Sequence, residues 1–140
     1  MPLHHRSLTV PASAPGVREA ESELLAFAKS SGLPKDAIWR LEVALDEVLS
    51  NVVRHGGAAG RVGPIAVDLD IFGSRIEVVV TDDAPAFNPL AVQAPDASVP
   101  LEDRPLGGLG IALVKALMDE VTYERRDGRN RLTFRKTLVD

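Results

Sequence analysis

Two hydrophobic rhythms share this chain, and their order limits the folds open to it. From Pro64 the period is two: Ile65, Val67, Leu69 and Ile71 alternate with Ala66, Asp68 and Asp70, and Phe72-Gly73-Ser74-Arg75 turns the chain into Ile76–Val80. This is the pattern of an antiparallel hairpin with one buried face. Before it the spacing is helical. Val17, Ala20, Leu24, Phe27 and Ala28 mark a helix over Val17–Ser31, preceded by a break at Ala14-Pro15-Gly16 and stopped by Ser30-Ser31-Gly32. Ile38, Leu41, Leu45, Val48, Leu49 and Val52 mark a second helix, which opens near Pro34 and ends at Gly56-Gly57. Leu8–Val10 reads as a short edge strand. Between Ala84 and Pro105 the periodicity vanishes, and five of the chain's ten prolines fall there, as expected of a lid or binding segment rather than a simple connection. A third helix from Leu109 to about Val121 follows, then strands near Val121–Arg126 and Asn130–Val139 around an Asp127-Gly128 turn. The expected fold is α+β, a two-layer sandwich of helices against a mixed, mostly antiparallel sheet, with residues 1–140 forming one domain.

Composition removes several function classes. The chain has no cysteine, so disulfides, thiol nucleophiles and cysteine zinc sites are excluded together, and His4, His5 and His55 lack metal-ligand spacing. A formal charge of −4 gives no electrostatic footprint for nucleic acid. No apolar run has membrane-spanning length, and Met1 to Val10 has no signal-peptide core, so a cytoplasmic protein is expected. Chemistry must rest on carboxylates, amides and backbone groups.

Three segments carry such groups. In Leu41–His55, Glu47 and Asn51 are four apart and point the same way from the second helix, with Arg54 and His55 one turn on. Asparagine is a mediocre helix former, and a carboxylate beside an amide oxygen suits Mg²⁺; the ordinary alternative is a solvated helix face. In Val78–Pro89 a core strand runs into Asp82-Asp83-Ala84, where an acid at the strand end can accept from an exocyclic amine such as adenine's, or simply form a turn. Gly107-Gly108-Leu109-Gly110 precedes the third helix, either as an anion cradle at the helix start or as a hinge. His55 alone reads as a helix-end histidine facing the C-terminal dipole.

In this order the three segments resemble the Bergerat-type ATP-binding fold of gyrase, Hsp90, MutL and sensor histidine kinases. Glu47…Asn51 resembles its N box, Asp82-Asp83-Ala84 its DxG box with Ala84 in place of the usual glycine, and Gly107–Gly110 its second glycine box. Thr133 matches its last-strand threonine beside adenine. The N box ALDEVLSNVVRHG and the tail beginning LGGLGIALVKAL most resemble the small anti-sigma-factor serine kinases of bacterial partner-switching systems. That resemblance implies ATP and Mg²⁺ as cofactors, Glu47 as general base, Asn51 as metal ligand and Asp82 as adenine reader beside Ala84. It also implies phosphate contacts from Gly107, Gly108, Leu109, Gly110 and Arg54, and a lid over about 84–106 that includes Phe87 and Arg104. The implied function is a serine/threonine protein kinase and anti-sigma factor that phosphorylates a STAS-domain anti-anti-sigma antagonist, releasing a sigma factor or other switched regulator. A homodimer through the first helix and the Leu8–Val10 edge is implied too. The alternative is a nucleotide-gated protein-binding regulator that transfers no phosphate; an ATPase using water is a third reading.

Overall fold

A computed structural model of the protein describes residues 1–58, 63–91 and 108–138. In chain order the elements are β1 (His4–Pro11), α1 (Ala14–Ser30), α2 (Lys35–Ala58), β2 (Pro64–Ile71), β3 (Arg75–Asp82), a 3₁₀ turn (Pro89–Ala91), α3 (Gly108–Leu117), β4 (Glu120–Arg126) and β5 (Arg129–Thr137). The strands form one five-stranded sheet in the order β1-β2-β3-β5-β4. Among the described residues every pairing is antiparallel, so the parallel component expected of a mixed sheet is absent there.

Strand parity builds the layers. Ile65, Val67, Leu69 and Ile71 on β2 share a face with Ile76, Val78 and Val80 on β3 and with Leu132 and Phe134 on β5, and all of them are buried. Val17, Ala20, Leu24 and Ala28 of α1, Leu41, Leu45, Val48 and Leu49 of α2, and Ile111 and Val114 of α3 close over that face as a single core. The opposite face is solvated and charged; there Arg135 reaches Glu77 at 3.0 Å and Glu120 at 3.1 Å.

Element ends differ from the periodicity in three places. β1 runs eight residues instead of the three of Leu8–Val10, because backbone pairing with β2 extends through polar His5 and Ser7, which face solvent on the sheet's outer side. α1 starts three residues early, with Ser13 as its N-cap: Ser13 Oγ accepts from Gly16 N at 3.1 Å, and proline is tolerated in the first turn. Gly16 is needed at that junction, since a Cβ there would overlap the Pro11 carbonyl oxygen. α3 stops at Leu117 rather than Val121, because Val121 is drawn into β4 opposite Phe134. Asp119 fixes this stop by accepting from Thr137 N at 2.5 Å and Lys136 Nζ at 3.3 Å, contacts that hold its carboxyl below the usual carboxylate range.

One acid works against the fold. Glu21 of α1 lies beside α2, where burial first, then a hydrogen bond and repulsion from Asp46 and Glu42, push its carboxyl up from 4.5 to about 7. Its Oε1 is buried without a hydrogen-bond partner. Between those two values the folded chain binds more protons at Glu21 than the unfolded chain, so this group lowers stability as pH rises from 4.5 to about 7. Glu21→Gln is therefore expected to match the wild type near pH 4.5 and exceed its stability above pH 7 by on the order of 1 kcal/mol, a figure discounted for solvent screening. Urea unfolding at both pH values checks this; a variant less stable above pH 7 contradicts it.

Candidate functional site

A pocket with a cavity volume of about 40 Å³ opens where α2, the end of β3 and the β4–β5 hairpin converge. Its walls are largely apolar: Val48 and Val52 of α2, Val80 of β3, Ile111 of α3 and Leu132 of β5. The polar groups aimed into it are few. Asn51 and His55 come from α2, Asp82 from the end of β3, Tyr123 from β4 and Asn130 from β5. Asn51, Asp82 and Asn130 are each buried, at 6%, 9% and 7% exposure, so an unmet polar atom among them is costly.

The base of the pocket is a hydrogen-bond cluster around Asn130, which sits directly across from Asp82 in the β3–β5 register. Asn130 Nδ2 donates to Asp82 Oδ1 at 3.0 Å, to the Ala84 carbonyl at 3.2 Å and to the Pro85 carbonyl at 3.1 Å. Its Oδ1 accepts from Tyr123 Oη at 2.6 Å, from Phe87 N at 3.2 Å and from Arg125 Nη1 at 3.2 Å. Arg125 Nη1 also donates to the Ala84 carbonyl at 2.8 Å, and Ala84 N donates to Asp82 Oδ1 at 3.0 Å. The segment that leaves β3 is thus tied to the sheet by its backbone.

On the other side, α3 packs along α2 so closely that a Cβ at Gly110 would overlap Glu47 Oε2. The acid therefore lies against the first turn of α3, where free backbone N–H groups and the helix dipole attract anions. One turn along α2, Asn51 Oδ1 accepts from Arg54 Nη2, which leaves it a second lone pair. An amide oxygen with a nearby carboxylate fits a magnesium ion that takes its remaining ligands from phosphates and water. Among the described residues no group of three histidine, cysteine or acidic side chains is placed to hold a metal by itself.

A family model for the histidine kinase-like ATPase domain matches residues 10–136. The chain belongs to the histidine kinase-like ATPase domain family. It is 30% identical over 125 residues to the serine-protein kinase RsbW of Halalkalibacterium halodurans, covering 86% of this chain and 76% of that one. It is 35% identical over 98 residues to the serine/threonine-protein kinase BtrW of Bordetella bronchiseptica, covering 69% and 68%. A crystal structure of the RsbU and RsbW domains of a Mycobacterium tuberculosis protein superposes with a TM-score of 0.71 at 20% identity, covering 98% of this chain and 33% of the other, and so shares its fold.

Within this ATPase domain, Asn51, Asp82, Ala84 and Phe87 come together at one pocket, with Glu47, Arg54 and Gly110 beside it. Gly108 and Leu109 lie in the backbone of α3's first turn, while Arg104 and Gly107 fall outside the described residues. Thr133 is not at the pocket. It pairs with Val79 and Thr122 on the solvated side of the sheet, because an odd-numbered residue of β5 faces away from Asp82. The β5 residues that line the pocket are Asn130 and Leu132. The signal was present: Asn130 shares the parity of Leu132 and Phe134, and a polar residue on a core-facing strand position asks for a reason. His55 also differs from its sequence reading. Its ring stacks on Phe87 with centroids 3.7 Å apart at 25°, and burial first, then the Arg54 charge, hold its imidazole below the ordinary value of 6.5 and so neutral at pH 7.

Ala84 replaces the expected glycine without backbone strain: among the described residues the only non-glycine with positive φ is Asp127. Ala84→Gly is expected to lower stability by about 0.4–1 kcal/mol, through the greater freedom of the unfolded chain. Thermal unfolding measures the change, and a more stable glycine variant would show that the methyl group strains the pocket.

Proposed function

We propose that the pocket holds ATP with its adenine at Asp82 and its phosphates at the start of α3, and that Glu47 is the general base toward a hydroxyl of a protein partner. The chain is a serine/threonine protein kinase of the partner-switching type. The observation that carries the site assignment is the contact of Glu47 with Gly110, because it puts a carboxylate beside the helix start that suits phosphates. Asp82 is an acceptor at the floor of an apolar slot, which suits the exocyclic amine of adenine. Magnesium held at Asn51 would neutralise phosphate charge. Glu47 takes the proton of the incoming serine or threonine hydroxyl as its oxygen bonds to the γ-phosphorus and the β–γ bridge breaks, leaving ADP.

In this reading the phosphoacceptor is a STAS-domain anti-anti-sigma protein, and its unphosphorylated form competes with a sigma factor or other regulator for the kinase. The protein works in the cytoplasm; in the described residues no helix is long and apolar enough to cross a membrane. Residues 1–140 act as one ATP-binding domain; the lid expected over about 84–106 lies outside the described residues beyond Ala91. Homodimerisation uses β1, which is an edge of the sheet, together with α1 beside it.

Glu47→Gln is expected to keep ATP affinity within about threefold and to slow phosphate transfer to a STAS-domain partner by about a hundredfold or more. Calorimetric titration of Mg·ATP and transfer of labelled γ-phosphate measure the two separately. Full transfer by the variant removes Glu47 from the chemistry. Regulation of the partner that survives loss of transfer identifies a nucleotide-gated binding protein, and phosphate release without any partner identifies an ATPase.

A further inference from the structure

α2 holds α3 at two places. Toward the start of α3 the contact is Glu47 against the bare backbone of Gly110. Toward its end, Arg40 Nη1 donates to the Leu117 carbonyl at 3.0 Å. Arg40 lies seven residues before Glu47 and Leu117 seven after Gly110, so the helices run antiparallel and the two contacts are about two turns, roughly 10 Å, apart on each. Leu117 is the last residue of α3, where helical carbonyls lack a partner within the helix and the dipole favours a cation. Arg40 meets both needs. Its Nε donates to Asp36 Oδ2 at 2.8 Å, one turn back on α2, so the guanidinium is oriented by its own helix before it reaches across. Among the described residues this is the one hydrogen bond that joins α2 to α3. Otherwise α3 is seated by Ile111, Val114 and Leu117 in the core, and such non-directional contacts hold a helix down while fixing its position along its own axis only weakly. Asp119 ties the chain beyond α3 to β5, but that anchor belongs to the sheet and not to the helix that carries Glu47 and Asn51.

We propose that Arg40 is a positioning residue for phosphate transfer: by bonding the end of α3 to α2, it sets where the start of α3 stands relative to Glu47. The inference rests on the kinase reading above, in which the first turn of α3 receives the phosphates and Glu47 takes the hydroxyl proton. Base and phosphate are then carried by different helices, and the distance between them is only as well defined as the register of those helices. Arg40 itself does not line the pocket. Without its bond, α3 is free to slide or tilt about Gly110, and a displacement of about 1 Å between reacting groups is enough to slow a positioned reaction by about a hundredfold. Asp82 and Asn51 stay where they are, on β3 and α2, so nucleotide affinity depends on Arg40 far less than transfer does.

The test uses two variants of the full chain. Arg40→Met keeps the apolar stem and removes both donors, and Arg40→Lys keeps the charge without the planar fork that serves Asp36 and Leu117 together. With a STAS-domain protein that the wild type phosphorylates, Arg40→Met is expected to transfer labelled γ-phosphate about tenfold or more slowly, through kcat, while Mg·ATP affinity by calorimetry stays within about threefold. Arg40→Lys is expected to recover part of the rate. In the nucleotide-free proteins, amide exchange over Ile111–Val114 is expected to be about tenfold faster in Arg40→Met, with the amides of β3 and β5 unchanged. Wild-type transfer by Arg40→Met overturns the proposal. Transfer and affinity lost in equal proportion give Arg40 a merely structural role, and slow transfer with unchanged exchange in α3 shows that the effect does not pass through that helix; either result overturns it as well. These outcomes leave the kinase reading standing, whereas a folded wild type that phosphorylates no STAS-domain protein removes both.

Discussion

The antiparallel register between β3 and β5 is the constraint on which the pocket depends. It sets Asp82 opposite Asn130 and places both on the core-facing side, two residues beyond the paired Val80 and Leu132. Where the hydrophobic ladder ends, the same parity delivers an acid and an amide to a site already dried by its neighbours. A slip of β5 by one residue would turn Asn130 to the solvated face and bring Arg131 to the core-facing side in its place. The packing of the sheet and the polarity of the pocket are therefore consequences of one alignment, and the apolar pairs at 78/134 and 80/132 hold that alignment in place.

Much of this was legible from residue patterns, and the losses have definite causes. The α2 stripe and the β2–β3 hairpin stood out because each buries a single face over many residues, which makes the period strong. The polar edge strand β1 was underestimated because its pairing is carried by backbone groups that leave no mark on hydrophobicity. Asn51 stood out as a mediocre helix former inside a strong helix, Glu47 by its spacing of four from Asn51, and Asp82 as an acid at the end of a core strand. Asn130 was missed in favour of Thr133 because motif matching along β5 ignores parity, whereas the sheet enforces it. The His55–Phe87 stack joins the end of α2 to the segment after β3, a tertiary encounter that spacing alone does not encode.

The charged groups divide along the same line as the layers. On the outer side of the sheet, half-buried Arg135 is shared by Glu77 and Glu120. On the pocket side fewer polar groups are present, and Asn130 and Asp82 are each engaged more than once, Asn130 by six contacts. Rigidity is thus concentrated where a ligand's donors must be recognised.

The absence of a side chain at Gly110 has a further meaning. Because the α3 backbone rests directly on Glu47, the two helices share one mechanical joint there. Any tilt or slide of α3 must carry the acid with it or break the contact. A methyl group gained at 110 would push the Glu47 carboxylate off the start of α3, so the bare backbone at this position decides where the acid's charge is held.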